Sequence, residues 1–200
     1  MEFEKLMVRL EGASPLIMHN IQLANPLNTW AQALKEYSGK RKKTEDDHAE
    51  MSKLEWYGGL YTGKNDKGKD VVILPSEVLL GSFISGAKQS RLGVAFKCGF
   101  DVPMDALLEY DGPRDIDKLW ADGRFTDVRG VAVQKSRIMR TRPIFMTWAC
   151  DVLVVYRPDV LNESQVVKAL RDAGSLCGVG DYRPRYGRYM VEVTAGAKKR

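Results

Sequence analysis

Residues 75–90, PSEVLLGSFISGAKQS, carry the clearest helix signal in the chain. Pro75 and Ser76 suit a first helical turn, and apolar residues at three- and four-residue spacing form one continuous stripe. Gly81 and Gly86 lie inside this pattern although glycine disfavours helical backbone, so we expect another element to pack closely against the helix at both positions.

Strand patterns lie on both sides of this helix. Residues 3–10 (FEKLMVRL) alternate well enough to predict a strand with Leu6, Val8 and Leu10 on one buried face. Toward the other end, residues 128–134 and 136–145 can pair across a turn, residues 148–158 predict a buried strand, and residues 188–195 predict a last strand.

A second helix is predicted before that last strand. Asn162 and Gln165 have the spacing of a capping box, an apolar stripe follows, and Gly174 is expected to end the helix. The resulting order, βαββαβ, predicts an α+β fold with a modified ferredoxin-like core, similar to an RNA-recognition fold, with an antiparallel sheet. The 200 residues suit a single domain over 1–200.

Two segments interrupt this order. Residues 36–70 are highly charged, and Thr44 and Asp47 predict a capping box for a short helix; we expect this insertion to project from the core and to be partly mobile. Residues 101–127 contain eight acidic and three basic residues and predict a loop-rich acidic insertion. Its Asp115 and Asp117 could bind Mg²⁺, but a solvated surface loop explains them more simply, and we predict no metal and no cofactor.

Composition excludes several classes of protein. With 44% hydrophobic and 28% charged residues, the chain is neither disordered nor fibrous. It has no apolar run near the ~20 residues that a membrane span needs and no signal-peptide pattern at its start. We therefore expect a cytoplasmic protein without membrane contact, whose three cysteines are reduced and mostly buried.

Charge is distributed unevenly along the chain. Residues 129–200 contain 14 Lys and Arg against 6 Asp and Glu, whereas residues 1–128 contain 17 against 20. A basic part joined to a mildly acidic one is typical of proteins that bind polyanions, because clustered cations release counterions from phosphates. A merely solvated basic face is the alternative.

The first candidate binding segment is GVGDYRPRYGRY, residues 178–189. Its glycines would let the backbone approach a phosphate and expose N–H groups, its arginines supply charge, and its three tyrosines offer faces for unstacked bases. The alternative is a tight surface turn whose tyrosines fold back onto the core. The predicted contacts are Gly178, Gly180, Tyr182, Arg183, Arg185, Tyr186, Gly187 and Arg188.

The second candidate segment is the predicted hairpin, which is rich in cations. Strict alternation puts Arg140 and Arg142 on one face and gives Lys135 and Arg137 the opposite parity, so a kink or bulge would be needed to gather all of them. The segment is either a phosphate-tracking groove or a solvated cationic hairpin. Its predicted contacts are Arg129, Lys135, Arg137, Arg140 and Arg142.

His19 is the one candidate for catalysis. Its ordinary pKa near 6.5 suits proton transfer in RNA cleavage, but the sequence offers no orienting partner, so a hydrogen-bonded structural histidine is the preferred interpretation. We predict no catalytic residue, with His19 as the alternative.

Three segments together resemble the RAMP superfamily, the RNA-binding proteins that form the backbone of CRISPR effector complexes: the first strand leading to SPLIMH, the ILPSEVLLGSFISGAK helix and the late GVGDYRPRYGRY loop. The resemblance assigns Pro75, Ser76, Gly81, Lys88 and Arg91 to the family's helix motif, and Gly178, Gly180 and Gly187 to its glycine-rich loop. Glu77 and Val78 stand where the family has small residues.

The resemblance implies RNA binding, head-to-tail assembly along the strand and usually no catalysis by the subunit, in a CRISPR-associated antiviral protein or a phage or prophage relative. We therefore expect a non-enzymatic binder of single-stranded RNA, or of single-stranded DNA, that forms homo-oligomers or joins a larger complex. Two alternatives stay open: a metal-independent endoribonuclease of the same superfamily, and a structural or protein-interaction subunit of possible phage origin.

Overall fold

Residues 2–133 and 136–196 are described by the computed structural model, which has a mixed α/β fold with antiparallel strand pairs. Its strands are β1 (Glu4–Gly12), β2 (Leu16–Ile17), β3 (Thr62–Lys64), β4 (Asp70–Leu74), β5 (Phe100–Asp101), β6 (Ala106–Leu107), β7 (Thr126–Val133), β8 (Ser136–Phe145), β9 (Ala149–Tyr156) and β10 (Tyr189–Gly196). Its α-helices are α1 (Thr29–Ser38), α2 (Glu45–Gly59), α3 (Ser76–Gln89), α4 (Gly93–Gly99), α5 (Ile116–Asp122) and α6 (Glu163–Asp172).

The largest sheet has the strand order β10-β1-β9-β5, and each neighbouring pair is antiparallel. Leu6, Val8 and Leu10 of β1 are buried on one face of this sheet, as their alternation predicts. Apolar residues of α3 and α6 join the same core cluster. The sheet and these two helices therefore form one buried apolar layer.

Helix α3 begins and ends within one residue of the predicted range. At Gly86 an added Cβ would lie 2.3 Å from the Ala169 carbonyl oxygen and 2.4 Å from the Ala173 nitrogen, so the predicted close approach is made by the backbone that includes the end of α6. The same expectation is wrong at Gly81, where no heavy atom lies within 4 Å of an added Cβ.

Helix α6 starts at the predicted capping box of Asn162 and Gln165, but Gly174 does not end the helical path. The chain continues through a π-helical turn, Ala173–Cys177, and turns away at Gly178, which has a φ of 72°. Gly174 is needed for another reason: a Cβ there would lie 2.2 Å from the carbonyl oxygen of Tyr189.

Two smaller sheets have the orders β2-β8-β7 and β3-β4-β6. Strands β7 and β8 pair as predicted, and Arg129 lies directly opposite Arg140. Lys135, predicted to contribute to this hairpin's basic face, lies outside the described residues.

The segment 36–70 does not project from the core as a whole. The Thr44–Asp47 capping box is confirmed, but it starts a helix of 15 residues rather than a short one. Trp56 of this helix is fully buried, and its indole nitrogen donates to the Phe125 carbonyl oxygen at 2.8 Å. The buried residues of this helix lie mainly in its second half, around Trp56, and a short run of buried positions inside a highly charged segment gives little signal in the sequence.

The acidic segment 101–127 also contributes to the core. Tyr110, Leu119 and Phe125 are buried, and Tyr110 and Phe125 pack edge to face with ring centroids 5.8 Å apart. Its acidic residues are interspersed among these buried residues, so one side of the segment packs on the core and the other side is polar.

The cysteines differ from the expectation of mostly buried thiols. Cys150 is buried, and this burial raises the pKa of its thiol to about 12. Cys98 is exposed and Cys177 is partly exposed. Among the described residues, no helix combines the length and apolar character that crossing a bilayer requires.

Gly86 and Gly81 provide a matched test of the α3–α6 contact. Gly86→Ala should lower the free energy of unfolding by about 1–3 kcal/mol, because the methyl group has to displace the α6 backbone. Gly81→Ala should raise it by about 0.5–1 kcal/mol, because alanine favours helix and meets open space. Urea unfolding followed by circular dichroism measures both; equal effects of the two substitutions would contradict this packing.

Candidate nucleic-acid interface

The loop of residues 178–188 folds back on its own chain through its glycines. Gly178, Gly180 and Gly187 have φ values of 72°, 79° and 70°. A Cβ at Gly187 would lie 1.7 Å from the Val179 carbonyl oxygen. The N–H groups of Gly178 and Gly187 donate to the carbonyl oxygens of Ala173 and Pro15. These two N–H groups are therefore not free for a phosphate, contrary to the sequence argument.

Two tyrosines of the loop lie against the β7–β8 hairpin and make cation–π contacts with two of its arginines. The Arg129 guanidinium lies 5.0 Å from the ring centre of Tyr182 and 4.7 Å from that of Tyr186. The Arg142 guanidinium lies 5.2 Å from the ring centre of Tyr182. We call these four residues the tyrosine–arginine cluster. It joins the two basic segments that the sequence presents separately into one surface.

The register of the hairpin explains which arginines meet in this cluster. Arg129 and Arg140 are directly opposite, and Asp127 is opposite Arg142, so all four side chains share one face. No register shift occurs between the paired residues of β7 and β8, so no bulge gathers the cations, and Arg137 stays on the opposite face.

Internal partners neutralise the cations of this face. Arg129 pairs with Asp127, which raises the pKa of the guanidinium further above its ordinary value, and Arg140 pairs with Glu55. The Arg142 Nε lies 3.0 Å from Asp181 Oδ2, and only 10% of the Arg142 side chain is exposed. These three arginines therefore anchor the loop and the adjacent helix rather than present free charge.

Free positive charge lies on the loop itself. Arg183, Arg185 and Arg188 are exposed and form no ion pair with any described residue, and the same holds for Arg137. Tyr182 is 36% exposed and Tyr186 is partly exposed, so each ring keeps an accessible part. The loop thus displays three unpaired guanidiniums beside two partly exposed rings.

The third tyrosine of the segment does not belong to this surface. Tyr189 is 2% exposed, and its hydroxyl lies 2.9 Å from the Ser82 hydroxyl on α3. Its ring packs edge to face on Phe83. For this residue the alternative drawn from the sequence, a ring folded back onto the core, is the correct one.

Tyr182 also has an unusual backbone, with a φ of 56°. Bulky residues rarely adopt this left-handed conformation, and the cost is offset where surrounding contacts fix it. Its ring contacts Arg129 and Arg142, and its N–H donates to Asp181 Oδ1 at 2.9 Å. The loop is therefore held in one shape by its contacts with the hairpin.

Two grooves border the loop. One, of about 510 Å³, is lined by Ser85, Leu176, Tyr182 and Arg183 among others. The other, of about 310 Å³, includes His19, Tyr61, Glu77 and Arg183. Sequence reasoning missed Tyr61, Glu77 and Leu176 because they come from three separate parts of the chain and share no motif.

Lys88 and Arg91, which the family resemblance adds to the site, are exposed at the end of α3. A Cβ at Gly93 would lie 2.8 Å from the Lys88 Cγ, which places this side chain beside the start of α4. Within the described part of the chain, no hydrogen bond or ion pair connects either residue to the loop. Their part in binding stays a prediction.

His19 lies beside Arg142 and is exposed on one side. Partial burial of the ring and the positive charge of Arg142 lower the pKa of the imidazole below its ordinary value. Over residues 2–133 and 136–196, no hydrogen bond to the ring is present, so the structure does not show the hydrogen-bonded histidine expected from the sequence.

Asp115 and Asp117 have partners in the chain. Asp115 caps α5 by accepting from the Lys118 N–H, and Asp117 accepts from the Tyr57 hydroxyl at 2.7 Å. In the part of the chain that the structure describes, no group of three or more His, Cys, Asp or Glu side chains is arranged to hold a metal ion.

Comparisons with known proteins find remote structural similarity. No protein-family model and no curated protein matches the chain. The crystal structure of Cmr6 from Pyrococcus furiosus is similar at a TM-score of 0.41 and 11% identity over 95% of this chain and 99% of that one. The crystal structure of Thermofilum pendens Csc2 is similar at 0.34 and 10% identity over 96% of this chain and 65% of that one. Neither similarity is close enough to assign a fold or a function.

Glu55 of α2 holds the base of the interface in place. It is 5% exposed, accepts a hydrogen bond from Arg140, and accepts another from the Thr141 N–H at 2.8 Å. Residues 16–18 pair with β8 only as far as Pro143. The Glu55 carboxylate takes over at the next position, where it accepts the Thr141 N–H that has no strand partner on that side.

Glu55→Gln should lower the free energy of unfolding by about 1–3 kcal/mol, because a buried charge-assisted hydrogen bond is lost and Arg140 is left without its counter-ion. Glu36→Gln, an exposed substitution on α1, should change it by less than about 0.5 kcal/mol. Urea unfolding of both variants is the measurement. Equal stability of the Glu55→Gln variant and the parent would show that this carboxylate does not support β8.

Proposed function

We propose that the chain is a non-enzymatic protein that binds single-stranded nucleic acid, RNA in preference to DNA, through the loop of residues 178–188 and the adjoining face of β7–β8. The observation that carries the proposal is the loop's arrangement: three exposed, unpaired arginines stand beside two partly exposed tyrosine rings. The preference for RNA follows the sequence resemblance to the RAMP superfamily.

The arrangement suits an unpaired strand in physical terms. Guanidiniums donate paired hydrogen bonds to phosphate oxygens, and an aromatic face contributes about 1–3 kcal/mol for each stacked base. Arg129 and Arg142 restrain Tyr182 and Tyr186 before any ligand arrives. Less conformational entropy is then lost on binding than for a flexible loop.

We further propose that the core is a modified ferredoxin-like fold. The supporting observation is the strand order β10-β1-β9-β5, in which α3 falls between β1 and β5 along the chain and α6 falls between β9 and β10. In this fold the loop before the last strand lies at one end of the sheet. That position leaves it free to contact a ligand.

Substitution of Arg183, Arg185 and Arg188 by alanine should weaken binding of a single-stranded RNA about tenfold or more at low salt, since three phosphate contacts are lost. The slope of log affinity against log salt should fall by about 2. Fluorescence anisotropy over a salt series measures both quantities.

The matched control replaces Lys35, Lys53 and Lys118, three exposed lysines of α1, α2 and α5, by alanine. It removes the same charge away from the loop and should leave the affinity within about twofold at moderate salt, where distant charges are screened. If both triple variants lose the same amount of affinity, net charge explains the binding and the loop is not the site.

We also propose head-to-tail assembly along the strand, supported by the excess of basic residues in 129–200 over the mildly acidic remainder. Part of the acidic segment 101–127 is already engaged within the chain: Glu109 pairs with Arg9, Asp122 with Arg124 and Asp127 with Arg129. The charge left for a neighbouring copy is therefore small, and we expect assembly to need the nucleic acid.

Light scattering of the protein alone should give a monomer, and addition of a long single-stranded RNA should give species whose mass grows with RNA length. A short RNA that covers a single protein is the control and should give one protein per strand. A single bound protein on the long RNA at saturating protein would contradict assembly.

A further inference from the structure

The smaller of the two grooves beside the loop of residues 178–188 lies between the loop and α3. Its volume of about 310 Å³ is at the lower end of the roughly 300–1,000 Å³ range of ligand pockets. Tyr61, Glu77, Gly81 and Arg183 are among the residues that line it. A groove of this size suits one ring system of a strand rather than a longer stretch of it.

Gly81 keeps one wall of this groove open. It lies inside α3, where glycine makes a helix less stable than alanine does. No heavy atom lies within 4 Å of an added Cβ at this position, so packing inside the described chain does not require glycine there. A glycine that weakens a helix without an internal reason, and that lines a groove, is explained if a ligand approaches the helix at that point.

Glu77 supplies this groove with a free carboxylate. It is exposed in the first turn of α3 and forms no hydrogen bond or ion pair with any described residue. The other carboxylate of the groove, that of Asp181, lies at ion-pair distance from Arg142 and accepts from the Tyr182 N–H. A free carboxylate repels phosphates, so beside a bound strand it is favourable only where it accepts hydrogen bonds from a base.

Tyr61 and Arg183 supply the other two contacts that a nucleotide needs. The Tyr61 hydroxyl donates to the His19 carbonyl oxygen at 3.1 Å, which restrains a ring that is only half-buried. Arg183 is exposed and lines both this groove and the larger one beside the loop. The groove therefore combines an aromatic ring for stacking and a guanidinium for a phosphate with the Glu77 carboxylate.

Guanine is the base whose edge matches a carboxylate best. Its N1–H and its N2 amino group are adjacent donors, which the two oxygens of one carboxylate accept together. Adenine and cytosine each place one amino group beside an acceptor, and uracil has a single N–H between two carbonyl groups.

We propose that this groove binds one guanine of the bound strand, with the Watson–Crick edge of the base on Glu77 and its ring against Tyr61. Unpaired bases in RNA are commonly read in this way, by stacking and by hydrogen bonds to that edge. The inference rests on the proposed function and adds a base preference to it.

The test compares the affinities of the full chain for two short RNAs of equal length, oligouridylate and the same strand with one central guanosine. Fluorescence anisotropy should show that the guanosine raises the affinity about tenfold, as expected for a paired hydrogen bond to a base. Inosine at the same position lacks the N2 amino group and should give an affinity between the two.

Glu77→Gln should remove the preference for guanosine, because an amide has one acceptor oxygen where the carboxylate has two. The affinity for oligouridylate should stay the same or rise, because a negative charge near the phosphates is lost. Glu163→Gln is the matched control: Glu163 is also exposed in the first turn of a helix, α6, and does not line the groove. This variant should keep the full preference.

Gly81→Leu is a second variant, which leaves Glu77 in place. The new side chain enters open space, so the protein should fold, and the filled groove should no longer prefer guanosine. Ala49→Leu, an exposed substitution on α2, is its control and should keep the preference.

Equal affinities of the parent protein for the two RNAs, or a guanosine preference that survives either Glu77→Gln or Gly81→Leu, would overturn the guanine site. In that case the proposed function still stands if oligouridylate binds and the Arg183, Arg185 and Arg188 variant weakens this binding. If neither RNA binds, the proposed function fails and the guanine site fails with it.

Discussion

The candidate interface depends on one buried guanidinium, that of Arg142. It extends from the middle of β8 to the loop before the last strand, where it meets the ring of Tyr182 and the carboxylate of Asp181. Burial of this charge is costly, and the cost is compensated only while both partners stay in place. The loop is therefore fixed relative to the hairpin, and its exposed arginines keep a defined position on the surface.

A second constraint acts on the loop from its other side. Its glycines approach the carbonyl oxygens of residues 17 and 179 so closely that any side chain would collide. The sequence argument assigns the N–H groups of such glycines to a phosphate, whereas here Gly178 and Gly187 use their N–H groups within the chain. Compact packing of the backbone leaves the arginine side chains on the outside, so the glycines shape the candidate interface without contacting a ligand themselves.

The basic half of the chain thus contains two kinds of cation. Arg129, Arg140 and Arg142 each have an acidic partner and hold elements together, whereas Arg183, Arg185 and Arg188 have none among the described residues. The overall excess of positive charge does not distinguish these roles. Only the second kind is free to pair with phosphates and release their counterions.

The sequence by itself located β1, α3, β9, α6 and β10, the capping boxes at Thr44 and Asn162, and the pairing of β7 with β8, because periodicity and capping are local properties. It was wrong about the sheet: the β7–β8 hairpin pairs with β2 in a separate sheet, and the fourth strand of the largest sheet is β5, whose two residues are too short to give a periodic pattern. It also located both basic segments. Tertiary structure alone decided that these segments form one surface, that Tyr189 is buried while Tyr182 is not, and that the second half of α2 packs into the core. Those outcomes depend on which residues face each other across distant parts of the chain, and the burial of Trp56 or the pairing of Arg142 with Asp181 has no local signal.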